Sequence, residues 1–195
     1  LTSEFQVSHA ASTGRPTPGV EVRLIDEDGS DVALGDVGEI VVRSGEPGAW
    51  MTMRGYYNDP EATAEALRDG WMHTGDMGRF DAEGFLYIVD RKKDMILSGA
   101  LNIYSKEVEN AILTHPAVRD VAVVGMPDAT FGEAVAAFVE LRPGESATET
   151  AIVEHCRELI ASYKKPKRVF FETLPRNAQG KVLKHELRDR VAPAR

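Results

Sequence analysis

The hydrophobic pattern of the chain changes once, near Asp90 to Lys93, and this change limits the possible folds more than any other feature. Before it, apolar and polar residues alternate over 20–26, and Asp28-Gly29 gives a hairpin-type turn signal ahead of a second alternating segment over 37–43. These segments predict two paired strands. A third strand is predicted over 85–89, so the chain up to about residue 90 is predicted to be mostly β.

One short helix is predicted inside this β-rich part. Asn58 to Glu61 provides an acidic cap and a proline for the first turn, and the helix runs from Ala62 to Leu67. Asp69-Gly70 then ends it.

Helical and strand patterns alternate after residue 91. Helices are predicted over 104–115, 148–162 and 184–191, and strands over 120–124, 134–141 and 169–171. Ser105 is a candidate cap for the first of these helices. The strands at 120–124 and 134–141 are too apolar to be exposed on both faces. These patterns predict a compact α+β unit, with a domain boundary near residues 90–93.

Charge and composition exclude some classes of function. The chain has 195 residues, 43% of them hydrophobic, which is ordinary for a globular protein. Its net charge of -8 and pI near 5.2 argue against a general nucleic-acid binder. Residues 162–195 nevertheless hold ten Lys/Arg against three Asp/Glu. This basic end suits a small polyanion such as a nucleotide or CoA, and it equally suits a solvated basic tail.

Cysteine and histidine usage points to no metal centre or disulfide. Cys156 is the single cysteine and lies on the predicted apolar stripe of a helix, so we expect it in the core. The histidines lack metal-ligand spacing, and no Ser/His/Asp or Cys/His set is recognisable. No apolar run approaches 18 residues and no leader pattern is visible, so we expect no membrane span, no signal peptide and a cytoplasmic location.

Two sites stand out by residue type. Asp76 follows Thr74-Gly75, where a tight turn would present a carboxylate able to accept both hydroxyls of a ribose; a cap is the alternative role. Lys181 ends the segment Pro175 to Lys181, which predicts a flexible, turn-forming loop that carries a cation to a developing charge. Taken alone, a Gly-Lys pair in a basic tail is more often a solvated turn.

Six ordered segments together resemble the adenylate-forming superfamily, which comprises acyl-CoA synthetases, luciferases and the adenylation domains of peptide synthetases. The segments are 14–19, 37–40, 54–61, 71–76, 91–96 and 175–184. The resemblance implies that residues 1–90 form the β-rich end of the large N-terminal domain. Residues 91–195 would then be the C-terminal lid, an α+β domain with a small mixed sheet and flanking helices. The phosphate loop and the acyl pocket of the family are missing, and Leu1 at the start also indicates a piece of a longer protein.

The resemblance implies roles for four residues. Asp76 matches the family aspartate that binds the ATP ribose, and Arg91 matches an arginine that contacts ribose or phosphate oxygens. Lys93 matches the hinge about which the lid rotates between two half-reactions, although sequence alone favours an ordinary exposed lysine. Lys181 matches the lysine that reaches the α-phosphate and the attacking carboxylate, where a cation acts together with Mg²⁺.

The segment 98–103 departs from the family pattern. Residues Gly99, Ala100 and Asn102 match a loop that lines the pantetheine passage for CoA, and relatives regularly have glycine at the position of Ala100. The added methyl group is expected to narrow the passage. If the backbone at Ala100 requires positive φ, the methyl group also adds strain.

The function that the resemblance implies is that of an ATP-dependent acid:CoA ligase, most like a fatty-acid–CoA ligase. A carboxylic acid and ATP would form an acyl-adenylate, and CoA would then displace AMP. The segment 163–169 looks like the form common in CoA ligases. Two alternatives stay open: an adenylation module that delivers to a carrier protein, and a non-catalytic lid that docks on a separate N-terminal chain. This piece alone is expected to be inactive.

Overall fold

The computed structural model describes residues 7–45 and 52–192. The chain divides into two compact units, the first ending at Lys93 and the second beginning at Asp94. No helix among the described residues is both long and apolar enough to cross a membrane.

The first unit is built on a five-stranded antiparallel sheet. Its strands are β1 (Val20–Ile25), β2 (Gly38–Ser44), β3 (Leu67–Arg68), β4 (Trp71–Phe80) and β5 (Leu86–Arg91). β4 is the central strand, with β2 along one edge and both β3 and β5 along the other. The predicted pairing of the first two strands is confirmed. β4 was not predicted, because Gly75 and Gly78 interrupt its alternation.

The short helix of the first unit is α1 (Pro60–Ala66). The Asp59 side chain accepts a hydrogen bond from the Ala62 amide at 2.9 Å, as its sequence predicts for a cap. The prediction of a helix opened by this acidic segment is confirmed, and β3 follows the helix directly.

The second unit has a five-stranded mixed sheet. Its strands are β6 (Ile96–Ser98), β7 (Leu101–Ile103), β8 (Val118–Asp128), β9 (Gly132–Leu141) and β10 (Arg168–Phe171). β8 and β9 form a long antiparallel pair, and β10 lies parallel to β9. The helices are α2 (Ser105–Leu113), α3 (Glu149–Leu159) and α4 (Lys184–Val191). The predicted α+β class is therefore confirmed.

Both faces of the β8–β9 pair are buried. On one face, Val123 and Val139 pack with residues of α2 and α3, including Ile112 and Ile152. On the other face, a second apolar cluster contains Leu187 of α4 and the strand residues Ala122, Val124, Ala136 and Phe138. The prediction that these strands are too apolar to be exposed on both faces is confirmed.

The start of α2 differs from the prediction. The cap position is Tyr104, and no side chain caps the helix there. The hydroxyl group of Ser105 instead accepts a hydrogen bond from Lys184 Nζ at 2.8 Å. Ser105 is thus buried against α4, so the role of a cap was wrong for this residue. By contrast, Thr148 does cap α3, accepting from the Ala151 amide at 3.1 Å.

Candidate functional site

A cleft of about 830 Å³ in the first unit contains three of the predicted site residues, Asp76, Arg91 and Lys93. It lies over β4 where that strand meets β5, and Tyr56 and residues of α1 complete its wall. The cleft therefore gathers the side chains that the resemblance assigns to ribose binding and to the hinge.

A bulge in β4 sets the position of Asp76. Glu39 of β2 pairs with Met77, but Val41 pairs with His73, so the three residues of β4 from Thr74 to Asp76 lie opposite Ile40 alone. The Thr74 hydroxyl donates to the Ile40 carbonyl at 2.8 Å and accepts from the Asp76 amide at 3.1 Å. Gly75 has φ of +71°, which side-chain-bearing residues rarely adopt. The tight turn predicted at Thr74-Gly75 is therefore a bulge within β4.

Asp76 and Arg91 form a partly exposed ion pair. The two residues are cross-strand partners in β4 and β5, and Arg91 Nε lies 3.4 Å from Asp76 Oδ1. Their side chains are 29% and 51% exposed. Because exposed ion pairs contribute only about 0–1 kcal/mol, a bound ligand would rearrange this pair at small cost. The pair offers an acceptor for hydroxyl groups beside a donor for hydroxyl or phosphate oxygens.

A buried carboxylate, Glu39, lies at the edge of the same cleft, and sequence reasoning assigned it no role. It is 6% exposed and accepts a hydrogen bond from Lys92 Nζ at 2.8 Å, while His73 Nδ1 lies 3.4 Å away. Burial alone would raise the pKa of Glu39. The hydrogen bonds and charges of Lys92 and His73 outweigh burial and lower that pKa, so the carboxylate is ionised.

Lys93 lies in a short 3₁₀ turn, Lys92–Asp94, and is exposed. Its two neighbours are both in ion pairs, Lys92 with Glu39 and Asp94 with Arg188. The structure thus places the predicted hinge residue at the end of the first unit, between two paired side chains.

The loop that carries Lys181 is a closed hairpin, so the predicted turn is present, and its flexibility stays a prediction. Asn177 Oδ1 accepts hydrogen bonds from the amides of Gln179 and Lys181, and the Asn177 amide donates to the Lys181 carbonyl at 2.9 Å. Arg176 and Val182 form a β-bridge below them. Gly180 supplies the positive φ, +81°, that the tight turn requires.

Ion pairs anchor this hairpin at both ends. Arg176 pairs with Asp120 of β8. At the other end, Lys184 Nζ lies 2.7 Å from Glu109 Oε1 on α2. Glu109 is buried and also accepts from the Val123 amide at 3.0 Å. The hairpin is therefore held to the sheet and to α2 by side chains that flank Lys181.

Lys181 differs from the other cations of the basic end. Its side chain is exposed, and its ammonium group has no partner within the described part of the chain. The other described Lys and Arg residues from 162 onward all bind a carboxylate or a carbonyl oxygen: Lys164, Lys165, Lys167, Arg168, Arg176, Lys184, Arg188 and Arg190. Carboxylates thus pair with most of these cations, and among the described residues of this end Lys181 is the cation whose side chain has no partner.

The predicted CoA-passage residues lie on a second hairpin, formed by β6 and β7. Gly99 and Ala100 are its two central residues, between the paired Ser98 and Leu101. Gly99 has φ of +63° and its amide donates to the Phe131 carbonyl at 2.7 Å. Ala100 does not have positive φ, so the condition under which strain was expected there is not met. Ala100 and Asn102 are both exposed, and their proximity to a thiol passage stays a prediction.

Cys156 takes no part in these sites. It is fully buried in the core between α3 and the sheet, as expected from its sequence context. Burial raises the pKa of its thiol to about 11, so the reactive thiolate is scarce at neutral pH.

Comparisons with known proteins give the family. Residues 107–181 match the AMP-binding enzyme C-terminal domain. A long-chain-fatty-acid–CoA ligase of Escherichia coli O157:H7 is 45% identical over 182 residues, which is 93% of this chain and 31% of the relative. This chain belongs to the adenylate-forming superfamily. Its match to a 2-succinylbenzoate–CoA ligase of Bacillus mycoides strain KBAB4 is also 45% identical, over 98% of this chain and 38% of that relative.

Solved structures of other proteins share the fold of this chain. The o-succinylbenzoate CoA synthetase of Bacillus subtilis, in complex with its acyl-adenylate intermediate, has a TM-score of 0.84 and 35% identity over all of this chain and 38% of that one. An amide bond synthetase from Marinactinospora thermotolerans has a TM-score of 0.82 and 40% identity over 94% of this chain and 36% of that one. The chain spans about a third of the length of the curated relatives it matches, and it is their C-terminal portion.

Each unit of this chain carries its own part of the predicted site. The first unit brings Asp76, Arg91 and Lys93 into one cleft. The second unit holds Lys181 on one hairpin and Gly99 to Asn102 on another. The functional roles of these residues stay predictions that the experiments below address.

Proposed function

We propose that this chain is the C-terminal part of an ATP-dependent acid:CoA ligase. The full protein would join a carboxylic acid to ATP, giving an acyl-adenylate and pyrophosphate, and CoA would then displace AMP to give a thioester. The observation that carries this proposal is Lys181: an exposed cation without a partner among the described residues, on a hairpin anchored at both ends. The names of the ligase relatives support the same reaction.

The chemistry of adenylate formation requires such a cation. The attack of a carboxylate on the α-phosphate brings anionic groups together, and a positioned positive charge stabilises the crowded transition state. We propose Mg²⁺ as the second cation, bound with ATP in the full-length protein. A lysine suits this role because its ammonium is a compact point charge on a long stem. Because the other described cations from residue 162 onward have partners, we propose Lys181 as the group that this reaction uses.

The cleft of the first unit supplies the proposed nucleotide contacts. The Asp76 carboxylate would accept the two ribose hydroxyls, and Arg91, now 3.4 Å from that carboxylate, would donate to ribose or phosphate oxygens. This arrangement places an acceptor and a donor side by side on neighbouring strands.

The substrate and the acyl acceptor are the finer parts of the proposal. We propose a fatty acid as substrate, with an aromatic acid such as 2-succinylbenzoate as the alternative, because ligases for both are equally similar to this chain. We propose CoA as acceptor and the cytoplasm as location. An assay of the full-length protein with several acids, and with CoA, a carrier protein or an amine as acceptor, distinguishes these possibilities.

Lys181→Ala in the full-length protein tests the central role. Adenylate formation, measured by pyrophosphate exchange, is expected to fall by about 10²–10³-fold, as when one transition-state donor is lost. Thioester formation from supplied acyl-adenylate should be far less affected. Arg157→Ala, which removes an exposed cation paired with Glu154 on α3, is the matched control. An equal loss in both half-reactions would show that Lys181 does not have this role.

A full-length protein that catalyses neither half-reaction would contradict the ligase proposal and favour the docking module. Titration of the 195-residue chain with acyl-adenylate and CoA gives a second measurement. We expect only weak binding, because the acyl pocket and the phosphate loop are not in this piece.

A further inference from the structure

We infer that two ion pairs confine the rotation between the two half-reactions to a single residue, Lys93. The pair between Lys92 and Glu39 holds the chain to the first unit. The pair between Asp94 and Arg188 holds Asp94, two residues after Lys92, to the second unit. The inference rests on the proposed two-step reaction and on the hinge role that the family resemblance implies for Lys93, and it assigns positioning roles to Glu39, Lys92, Asp94 and Arg188.

The first anchor holds the chain up to Lys92. Arg91 is the last residue of β5 and pairs with Asp76 in the sheet. Lys92 then donates to Glu39, whose carboxylate is 6% exposed and ionised. Loss of the lysine contact would leave a buried carboxylate with weaker compensation, which is costly. The Lys92 side chain therefore ties the chain to β2 directly after the end of β5.

The second anchor holds the chain from Asp94 onward. The Asp94 side chain is 13% exposed and accepts a hydrogen bond from Arg188 on α4. The neighbour of Arg188, Leu187, is fully buried in the core of the second unit, so the helix that carries Arg188 is itself fixed. Ile96, which begins β6, is also buried.

The torsions of Lys93 lie between these two anchored residues. A rotation of one unit against the other must be absorbed by a few backbone torsions, and anchoring of the flanking residues leaves φ and ψ of Lys93 to absorb it. A pivot confined in this way favours discrete orientations over a continuous range. Glu39, Lys92, Asp94 and Arg188 thus act through Lys93 and need not touch a substrate.

The test in the full-length protein combines a substitution that restricts the backbone of Lys93 with one that weakens a flanking ion pair. Lys93→Pro fixes φ near -65° and is expected to slow thioester formation by about tenfold or more while adenylation changes much less. Lys93→Ala, which keeps φ free, should slow thioester formation less. Adding Asp94→Asn to Lys93→Pro weakens the second anchor, and we expect it to restore several-fold of the lost rate.

Glu39→Gln in the same background should restore less, because a proline restricts the backbone of the residue before it, here Lys92. Glu154→Gln, which breaks an exposed pair on α3, is the matched control and should restore nothing. A residue with a purely structural role would lower both half-reactions and the melting temperature together, and would not rescue the proline variant.

The outcomes distinguish the hinge role of Lys93 from its confinement by the two ion pairs. If Lys93→Pro changes neither half-reaction, the hinge role of Lys93 is wrong, while the proposed ligase reaction is unaffected. If it slows only thioester formation and neither Asp94→Asn nor Glu39→Gln restores the rate, the hinge stands and the confinement is wrong. Hydrogen exchange measured by mass spectrometry tests the anchors without the proline substitution. In Asp94→Asn and in Glu39→Gln, the protection of a peptide over 90–96 should fall. Unchanged protection contradicts the inference.

Discussion

The buried pair between Glu109 and Lys184 allows a quantitative test of how the Lys181 hairpin is held. Lys184 Nζ lies 2.7 Å from Glu109 Oε1, and Glu109 is 7% exposed. Lys184→Met keeps an unbranched side chain one atom shorter and removes its charge. Removal of one partner of a buried pair typically costs 3–5 kcal/mol, because the other charge stays buried.

Two contacts of Glu109 reduce that cost here. The Val123 amide still donates to its carboxylate at 3.0 Å, and Lys106 Nζ lies 3.7 Å away. We therefore expect Lys184→Met to lower the free energy of unfolding by about 2–3 kcal/mol. For a chain of this length this loss corresponds to about 4–12 °C in melting temperature.

Urea denaturation and thermal melting of the 195-residue chain measure this loss, and a double-mutant cycle tests its cause. Glu109→Met together with Lys184→Met replaces the pair by apolar side chains but leaves the Val123 amide without its acceptor, so we expect a loss of about 1–3 kcal/mol, below the sum of the two single losses. Two results would refute the reasoning: a loss below about 0.5 kcal/mol for Lys184→Met alone, or a double variant that loses the sum of the single losses.

Three further predictions concern single side chains. Ala100→Gly in the full-length protein should speed thioester formation relative to adenylation without raising the melting temperature, since Ala100 carries no positive φ to relieve; an unchanged rate would make its methyl group neutral. Hydrogen bonds from Lys167 and from the amides of Phe131 and Thr130 lower the pKa of Asp128 to about 2. Its folded pKa lies below the unfolded value of about 3.9, so its stabilising contribution is present above pH 4 and is lost as the pH falls toward 2. Asp128→Asn should weaken the dependence of the free energy of unfolding on pH between pH 4 and pH 2, measured by urea denaturation. An unchanged dependence would count against the low pKa of Asp128. Cys156, whose thiol pKa is about 11, should resist alkylation at pH 8 until the chain is denatured, and rapid labelling of the native chain would place it outside the core.

Periodic patterns predicted most of the fold because local sequence and burial agree there. α4 (Lys184–Val191) has the predicted bounds, and β8 and β9 contain the predicted strands. β6 and β7 were missed because three-residue strands are too short to show alternation. Ser105 was misread because a serine before a helical pattern normally favours a cap, whereas its partner Lys184 is 79 residues away in sequence.

The candidate site, like the fold, could be predicted only in part from the sequence. Motif positions identified Asp76, Arg91, Lys93 and Lys181, but only strand register shows that Asp76 and Arg91 face each other. The Glu39 network was missed because Lys92 is 53 residues distant and no local pattern marks a buried ion pair. Long-range partners of charged side chains are set by tertiary packing and leave little trace in sequence.

The position of α4 has a consequence for damaged forms of the protein. The helix follows the Lys181 hairpin directly and buries Leu187 against Val124 and Phe138. A proteolytic cut or premature stop between Lys181 and α4 would leave the lysine in the chain and uncover one apolar face of the sheet. Such a product would be recognised first by chaperones and proteases as a misfolded chain, so its loss from the cell would precede any measurable defect in turnover.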